Sequence, residues 1–253
     1  MDVTNFVTAS DASNQAFKTA TLLKTLNVNA LITGEIGVGK SSLAEYILPD
    51  APTLDASLHD EIITVLGNTD KIVIYNLEHS PNLLKVLESV SANSVRLIAT
   101  AKTSFVHERL DEIFSIKFDI PSLAQRPEDV KALIQKFAQE ASELFACKKE
   151  FNFEGFTPDI TLNAKSLKRQ VMMNYLLDDI TDKELMHIME NYLLAKLGSN
   201  SDYRNFLYLY EAPLINAGLQ KYKSQLQLAD RLGLNRNTLR KKIAENDKYL
   251  YKD

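Results

Sequence analysis

Residues 29–48 read NALITGEIGVGKSSLAEYIL, and this stretch decides the fold. Residues 29–33 are a short apolar strand candidate, residues 34–41 match G-x-x-x-x-G-K-S, and SSLAEYIL continues as a helical pattern. Strand, glycine-rich loop and helix in that order are the setting the motif needs. The glycines let backbone N–H groups converge on phosphate oxygens. Lys40 supplies a cation for the β and γ phosphates, and Ser41 stands at the positive end of the helix, where its hydroxyl can ligate Mg²⁺. The candidate nucleotide-binding residues are Gly34, Glu35, Gly37, Gly39, Lys40, Ser41 and Ser42, with Ser41 as the Mg²⁺ ligand through the nucleotide. The alternative is a glycine-rich turn that merely joins strand to helix.

Hydrolysis makes a further demand. A phosphate-loop ATPase needs a second apolar strand ending in Asp for the Mg²⁺ shell, with Glu beside it to polarise water. That strand is present as KIVIY, residues 71–75, but it runs into Asn76, Leu77, Glu78 and His79. Tyr75 and Asn76 stand where the acids belong, and Glu78, two residues further on, is expected to point elsewhere. A third strand, SVRLIAT at 94–100, continues the parallel-sheet pattern and ends in the polar tip Lys102-Thr103.

The other end of the chain carries a different signal. Residues 225–243, QLQLADRLGLNRNTLRKKI, form two short helical patterns hinged at Gly233. Ala229 and Leu232 face inward on the first helix; Leu234, Leu239 and Ile243 form the buried side of the second. This leaves Asn235, Arg236, Asn237, Thr238, Arg240, Lys241 and Lys242 outward as candidate DNA contacts. Asn and Arg pair with base edges in the major groove, while Thr and Lys hold phosphates. A solvated helix pair with a basic face is the alternative reading.

The net charge of −4 over 253 residues is unevenly spread. Residues 218–253 hold nine Lys or Arg against four Asp or Glu, a local +5 that leaves −9 for the rest. Such segregation marks a basic binding module on an acidic body. A single cysteine, Cys147, in an expected helix, excludes an internal disulfide and suits a reducing cytoplasm. No apolar run approaches the roughly 20 residues that span a bilayer, and no signal pattern opens the chain. His59, His79, His107 and His187 are scattered without metal-ligand spacing.

The tail LNRNTLRKKI, with ADRLG before it, resembles the C-terminal helix-turn-helix of the Fis family. The rest resembles the AAA+ domain of the bacterial enhancer-binding proteins that activate sigma-54 RNA polymerase. The resemblance rests on the helix, strand and GEIGVGK loop of residues 14–40, and on IPSLAQRPEDV at 120–130, which opens a helical lid. It implies ATP or ADP as ligand, and departs from the family in three ways. No GAFTGA loop lies between Lys40 and Ile72. The expected arginine-finger places fall on Val106 and Glu112, with Arg109 the nearby candidate. The lid's sensor arginine maps onto Lys168 or Arg169 without its usual lead sequence.

The expected architecture is α/β: a degenerate AAA+ phosphate-loop subdomain with a parallel sheet over residues 1–120, a helical lid over 121–198, and an all-α Fis-like helix-turn-helix domain over 199–253. Within it, residues 128–149 read as one amphipathic helix, 167–197 as further helices capped near Thr181, 198–202 as a linker, and 203–219 as a helix that in Fis-type modules helps form a dimer. With one helix ahead of the loop, control is expected through a partner protein, nucleotide occupancy or abundance. The function expected is a cytoplasmic DNA-binding transcription regulator whose AAA+ domain binds ATP or ADP, with or without Mg²⁺, and hydrolyses it poorly. Its partners would be double-stranded DNA, a second copy in a homodimer or higher oligomer, and RNA polymerase or a regulatory protein, with no membrane. The alternatives are an active sigma-54 enhancer-binding ATPase, an architectural DNA-bending protein oligomerised by its AAA+ portion, and a phosphate-loop enzyme with an incidental tail.

Overall fold

Alternate residues along the central strands enter two separate cores, which makes the sheet the middle of three layers. The computed structural model describes residues 5–145, 151–153, 155–177 and 180–250. By contacts the chain divides into Met1–Ile180 and Thr181–Asp253.

In the first unit five strands, β1 (Ala30–Gly34), β2 (Thr53–Asp55), β3 (Lys71–Tyr75), β4 (Arg96–Ala101) and β5 (Ile116–Ile120), pair in parallel in the order β2-β3-β4-β1-β5. Leu31, Ile72, Ile74, Leu97 and Ala99 point to one face and pack under α3 (His59–Leu66), α4 (Leu83–Ala92) and α5 (Leu110–Ile113). Ala30, Ile32, Val73, Ile98 and Ile120 point to the other, under α1 (Asp11–Thr25) and α2 (Lys40–Ile47). Strand β1 lies between β4 and β5, so its carboxyl end opens where the chain order reverses, the place where open α/β sheets bind ligands.

The short edge strands β2 and β5 are absent from the sequence reading, and β4 starts two residues later than expected. Both edges pair on one side only and bury few of their residues, so neither shows the apolar run of β3 or β4.

Beyond the sheet, α6 (Pro127–Leu144) and α7 (Ala164–Leu177) form the lid around Leu123, Leu133, Ile134, Phe137, Leu167 and Val171. Helix α6 ends at Leu144; residues 146–149 of the expected 128–149 helix, Cys147 among them, lie outside the described residues.

The second unit begins with α8 (Asp182–Leu194), whose Thr181 and Glu184 form a reciprocal capping box. The sequence pattern groups these residues with the lid; by contacts they belong with the C-terminal helices. The expected 203–219 helix is two elements, α9 (Asp202–Phe206) and α10 (Tyr208–Tyr222). They lead to α11 (Gln225–Arg231) and α12 (Arg236–Glu245). Ile215, Leu228, Ala229 and Leu239 are this unit's buried centre. Gly233, at φ 64, lets the chain turn between α11 and α12: the Leu234 N–H donates to the Ala229 carbonyl and the Gly233 N–H to that of Asp230. This double closure is the left-handed helix stop that glycine adopts without strain.

Candidate functional site

The loop after β1 and the start of α2 form one wall of a cavity of about 480 Å³; the opposite wall is the lid. Gly37, Gly39, Lys40, Ser41 and Ser42 all line it, as does Asn76 from the end of β3. Gly34 and Glu35 support the loop from beneath: the Lys40 ammonium donates to their carbonyls at 2.6 and 2.7 Å. Burial holds the Lys40 pKa below the usual lysine value, against the opposing pull of Glu78 and Asp119. A cation held by carbonyls in a half-dry loop is poised for phosphate oxygens, which would restore the solvation it has lost.

The lid is fastened to the loop by backbone as well as side chains. Gly37, at φ 81, accepts from the Ala164 N–H at 3.1 Å, and a Cβ placed on it would stand 2.3 Å from the Leu162 carbonyl. Asn163 donates to Glu35 Oε2 and the Ile36 carbonyl, both at 3.0 Å, and accepts from the Leu123 N–H at 2.7 Å. Glu35 is therefore a strut between loop and lid.

A buried ion pair anchors the same wall. Arg126 is 2% exposed and Asp129 0%; Arg126 donates to Asp129 Oδ2 at 2.9 Å and to the Val38 carbonyl at 3.2 Å. Asp129 also accepts from the N–H groups of Ala9 and Ser10, both at 2.8 Å, and from the hydroxyls of Ser10 and Ser13. Burial lowers the Arg126 pKa, and Asp129 opposes that shift. The pair thus ties the entry to α1, the loop and the lid together.

Phe6, whose ring lies over Gly39, and Lys136, Lys165 and Lys168 of the lid complete the lining. Of the two residues proposed for the lid's sensor position, Lys168 lines the cavity, paired with Glu140 at 2.7 Å; Arg169 is not among the lining residues. Sequence reasoning misses Lys165, which precedes Lys168 by one helical turn, and Arg126 and Asp129, which lie inside the quoted RPED run.

At the end of β3 the side chains are turned inward to the protein. The Tyr75 hydroxyl donates to Glu45 Oε1 at 2.6 Å, and burial together with that carboxylate raises its pKa. Asn76, in the left-handed region at φ 52, donates its amide to Asp55 Oδ2 at 2.6 Å and its N–H to the Thr100 hydroxyl. Glu78 is absent from the cavity lining; its carboxylate accepts from the Lys102 N–H at 3.3 Å, and its charge opposes the lowering of the Lys40 pKa by burial.

These residues do not fit a Mg²⁺ shell. Magnesium is held by one or two carboxylates plus substrate phosphates. Asp55 and Glu78 are absent from the cavity lining, and the acids that do line it, Asp129 and Glu140, face Arg126 and Lys168. Among the described residues no group of three or more His, Cys, Asp or Glu is gathered to hold a metal ion.

Val106 is 87% exposed, and Glu112 is ion-paired with Arg109 at 2.6 Å. The nearby arginine is thus engaged within its own turn.

On α12 the candidate DNA contacts separate. Arg236, Asn237, Arg240 and Lys241 are exposed, with Lys241 3.8 Å from Glu245. Asn235 caps the helix, accepting from the Thr238 N–H at 2.9 Å and from its hydroxyl at 3.3 Å. Lys242 departs from the outward placement expected for it: its ammonium pairs with Glu211 of α10, whose other oxygen accepts from Asn246, so it braces the domain. The sequence places Lys242 outward because its neighbours are basic; its position one turn after Leu239 brings it back toward α10.

Residues 207–245 match the family model described as bacterial regulatory protein, Fis family. No curated protein sequence matches the chain. Among solved structures it is similar to NtrX from Brucella abortus. To the crystal form with ADP it is 17% identical, with a TM-score of 0.61, covering 97% of this chain and 69% of that one. To the form with ATP it is 17% identical, with a TM-score of 0.59, covering 96% and 69%. Among the described residues no helix is long and apolar enough to cross a membrane. Residues 207–245 therefore match a Fis-family helix-turn-helix, and the parallel sheet with its lid ahead of them shares the fold of NtrX.

Proposed function

We propose that this chain is a bacterial DNA-binding transcription regulator whose AAA+ domain binds ATP or ADP and hydrolyses it slowly or not at all. The observation that carries this reading is the contrast across one cavity: Lys40, Ser41 and Ser42 line it, while Tyr75 and Asn76 direct their polar groups to Glu45 and Asp55. The similar fold of NtrX, crystallised with ADP and with ATP, supports a nucleotide in this place. Arg236, Asn237, Arg240 and Lys241, exposed on the second helix of a Fis-family motif, support major-groove contact by that helix. Domain limits of 1–120, 121–198 and 199–253 for sheet, lid and DNA-binding module, with α8 at the end of the lid span grouped by contacts with the C-terminal helices, a cytoplasmic place, a homodimer or higher oligomer on two-fold DNA sites, and contact with RNA polymerase or a regulatory protein belong to the same reading.

Ser41 is the hydroxyl that an accompanying Mg²⁺ would meet, but the carboxylates behind it do not fit. A second reading, the active enhancer-binding ATPase, is favoured by one observation: Glu78 lies close enough to act on Lys40. Titration calorimetry with ADP and ATP, paired with phosphate release with and without duplex DNA, tests both. Binding without turnover supports the first reading. Sustained turnover that Lys40→Ala removes establishes the second, and no heat with either nucleotide overturns both.

A further inference from the structure

The cavity lining holds five cations, Lys40, Arg126, Lys136, Lys165 and Lys168, against two acids, Asp129 and Glu140. Both acids are already neutralised by ion pairs, with Arg126 and Lys168 respectively. Three positive charges are left without an acid in the lining, Lys40 among them being faced from outside it by Glu78, Asp119 and Glu35. Lys136 is directed to the Asn5 carbonyl at 2.7 Å, and Lys40 to the loop carbonyls. The Lys165 ammonium has no hydrogen-bond or ion-pair partner among the described residues. Its Cβ stands 3.3 Å from the point where a Cβ on Gly37 would lie, so its stem begins directly against the phosphate loop.

Cation and carboxylate shells solve the same problem in opposite ways. A nucleotide's phosphates repel one another, and in a site with free acids a Mg²⁺ ion bridges them while the acids hold the ion. Here the places beside the loop carry a phenol that donates to Glu45 and an amide that donates to Asp55. Asp55 also accepts from the N–H and hydroxyl of Ser57. No acid in the lining is open to a metal, whereas ammonium groups are open to phosphate. Direct N–H to phosphate bonds between ionised groups are short and strong, and a partly buried cavity screens them little.

We propose that this site takes the free nucleotide polyphosphate without a divalent cation, Lys165 of the lid and Lys40 of the loop gripping the phosphates that Mg²⁺ would otherwise bridge. The inference rests on the nucleotide-binding reading.

The test is calorimetric titration of the full chain with ADP and with ATP, once with MgCl₂ and once with EDTA in its place. Affinity in EDTA equal to that in Mg²⁺, or tighter, is the expected result. Lys165→Ala is expected to weaken ADP binding in EDTA about tenfold, the effect of removing one charge-assisted hydrogen bond, and Lys165→Arg to restore it to within about threefold of the parent. Lys165 is exposed, and circular dichroism of both variants checks that the fold is kept. Binding that weakens more than about threefold on removing Mg²⁺, or that is indifferent to Lys165→Ala, overturns the proposal while leaving nucleotide binding intact. No heat under either condition overturns the nucleotide reading itself, and this one with it.

Discussion

The loop after β1 and the strand end after β3 border the same cavity, but they use their polar groups in opposite ways. In the loop, the Lys40 ammonium rests on two carbonyls of its own turn, and Ser41 and Ser42 line the cavity. At the strand end, Tyr75 and Asn76 are joined to Glu45 and Asp55 by 2.6 Å hydrogen bonds. The first arrangement keeps groups available for a ligand; the second consumes them within the protein. The same division recurs on α12, where Arg236 and Arg240 are open while Asn235 caps the helix and Lys242 pairs with Glu211. Whether a residue type suits a function matters less than whether the fold leaves its functional group unspent.

The largest expected effect concerns hydrolysis. If the strand end alone were the deficit, Tyr75→Asp with Asn76→Glu would restore turnover. On the proposed reading we expect it not to, because the places the family resemblance assigns to arginine fingers hold Val106 and Glu112, and the nearby Arg109 is paired with Glu112. A missing arginine finger costs about 10³ to 10⁵ in rate. Phosphate release by the double variant close to that of a working AAA+ motor would show that the strand end was the whole deficit.

On the loop side the expected loss is in binding. Lys40→Ala removes the cation facing the phosphates and should weaken ADP about a hundredfold or more, the range for removing one partner of a buried charge pair. Tyr75→Phe should shift it by no more than about threefold, since its hydroxyl serves Glu45. Equal sensitivity at both positions in competition binding would abolish the contrast between the two sides.

Asp129 tests how that loop is held. Removing it leaves Arg126 charged and buried, with the N–H groups of Ala9 and Ser10 deprived of an acceptor. Asp129→Ala should lower the stability of the first unit by about 3–5 kcal/mol. Asp129→Asn, which keeps acceptor oxygen but not charge, should lose less. A denaturation midpoint unchanged in Asp129→Ala would mean that the pair does not anchor the loop.

How much of this is readable in the chain follows from the range of the interactions. The strand-loop-helix of residues 29–48 is contiguous, so its chemistry appears in order, as does the turn at Gly233. The central strands β3 and β4 announce themselves because both faces are buried. The edge strands β2 and β5 do not, since one side and much of their surface lack partners. Pairings across long separations are not readable. Glu35 to Asn163 spans 128 residues and Ser10 to Asp129 spans 119. The left-handed conformation of Asn76 is hidden for a local reason: an asparagine there is compatible with that turn or with a continued strand. Lys242 escapes because a basic run conceals which of its members faces inward.

Further down in magnitude, the division on α12 is open to salt titration. Arg240→Ala with Lys241→Ala should flatten the slope of log affinity against log salt by about two, near −0.9 for each phosphate that is no longer neutralised. Lys242→Ala should leave that slope unchanged and show its effect in thermal stability instead, through the loss of the Glu211 pair. A slope change with Lys242→Ala equal to that of its neighbours would return it to the DNA surface.

The smallest effect is the pH dependence of nucleotide affinity, and its sign follows from Lys40. Burial lowers its pKa in the free protein, so it begins to lose its proton at a pH where an ordinary lysine, near 10.4, is still fully charged. Phosphate oxygens favour the ammonium form, which raises the pKa in the complex above that of the free protein. Below both values the group is charged in either state and affinity is flat. As pH rises through the free-protein value, binding must take up a proton and affinity falls. It levels again only above the pKa of the complex. ADP affinity should therefore decline as pH rises through the lowered Lys40 value, by at most about tenfold per pH unit for one proton, and calorimetry in buffers of different ionisation enthalpy should report proton uptake there. Because the onset belongs to the buried Lys40 and Lys165 is exposed, Lys165→Ala should leave that onset in place while lowering affinity throughout. An affinity that stays flat through the alkaline range would mean that the Lys40 ammonium does not change partners when nucleotide binds.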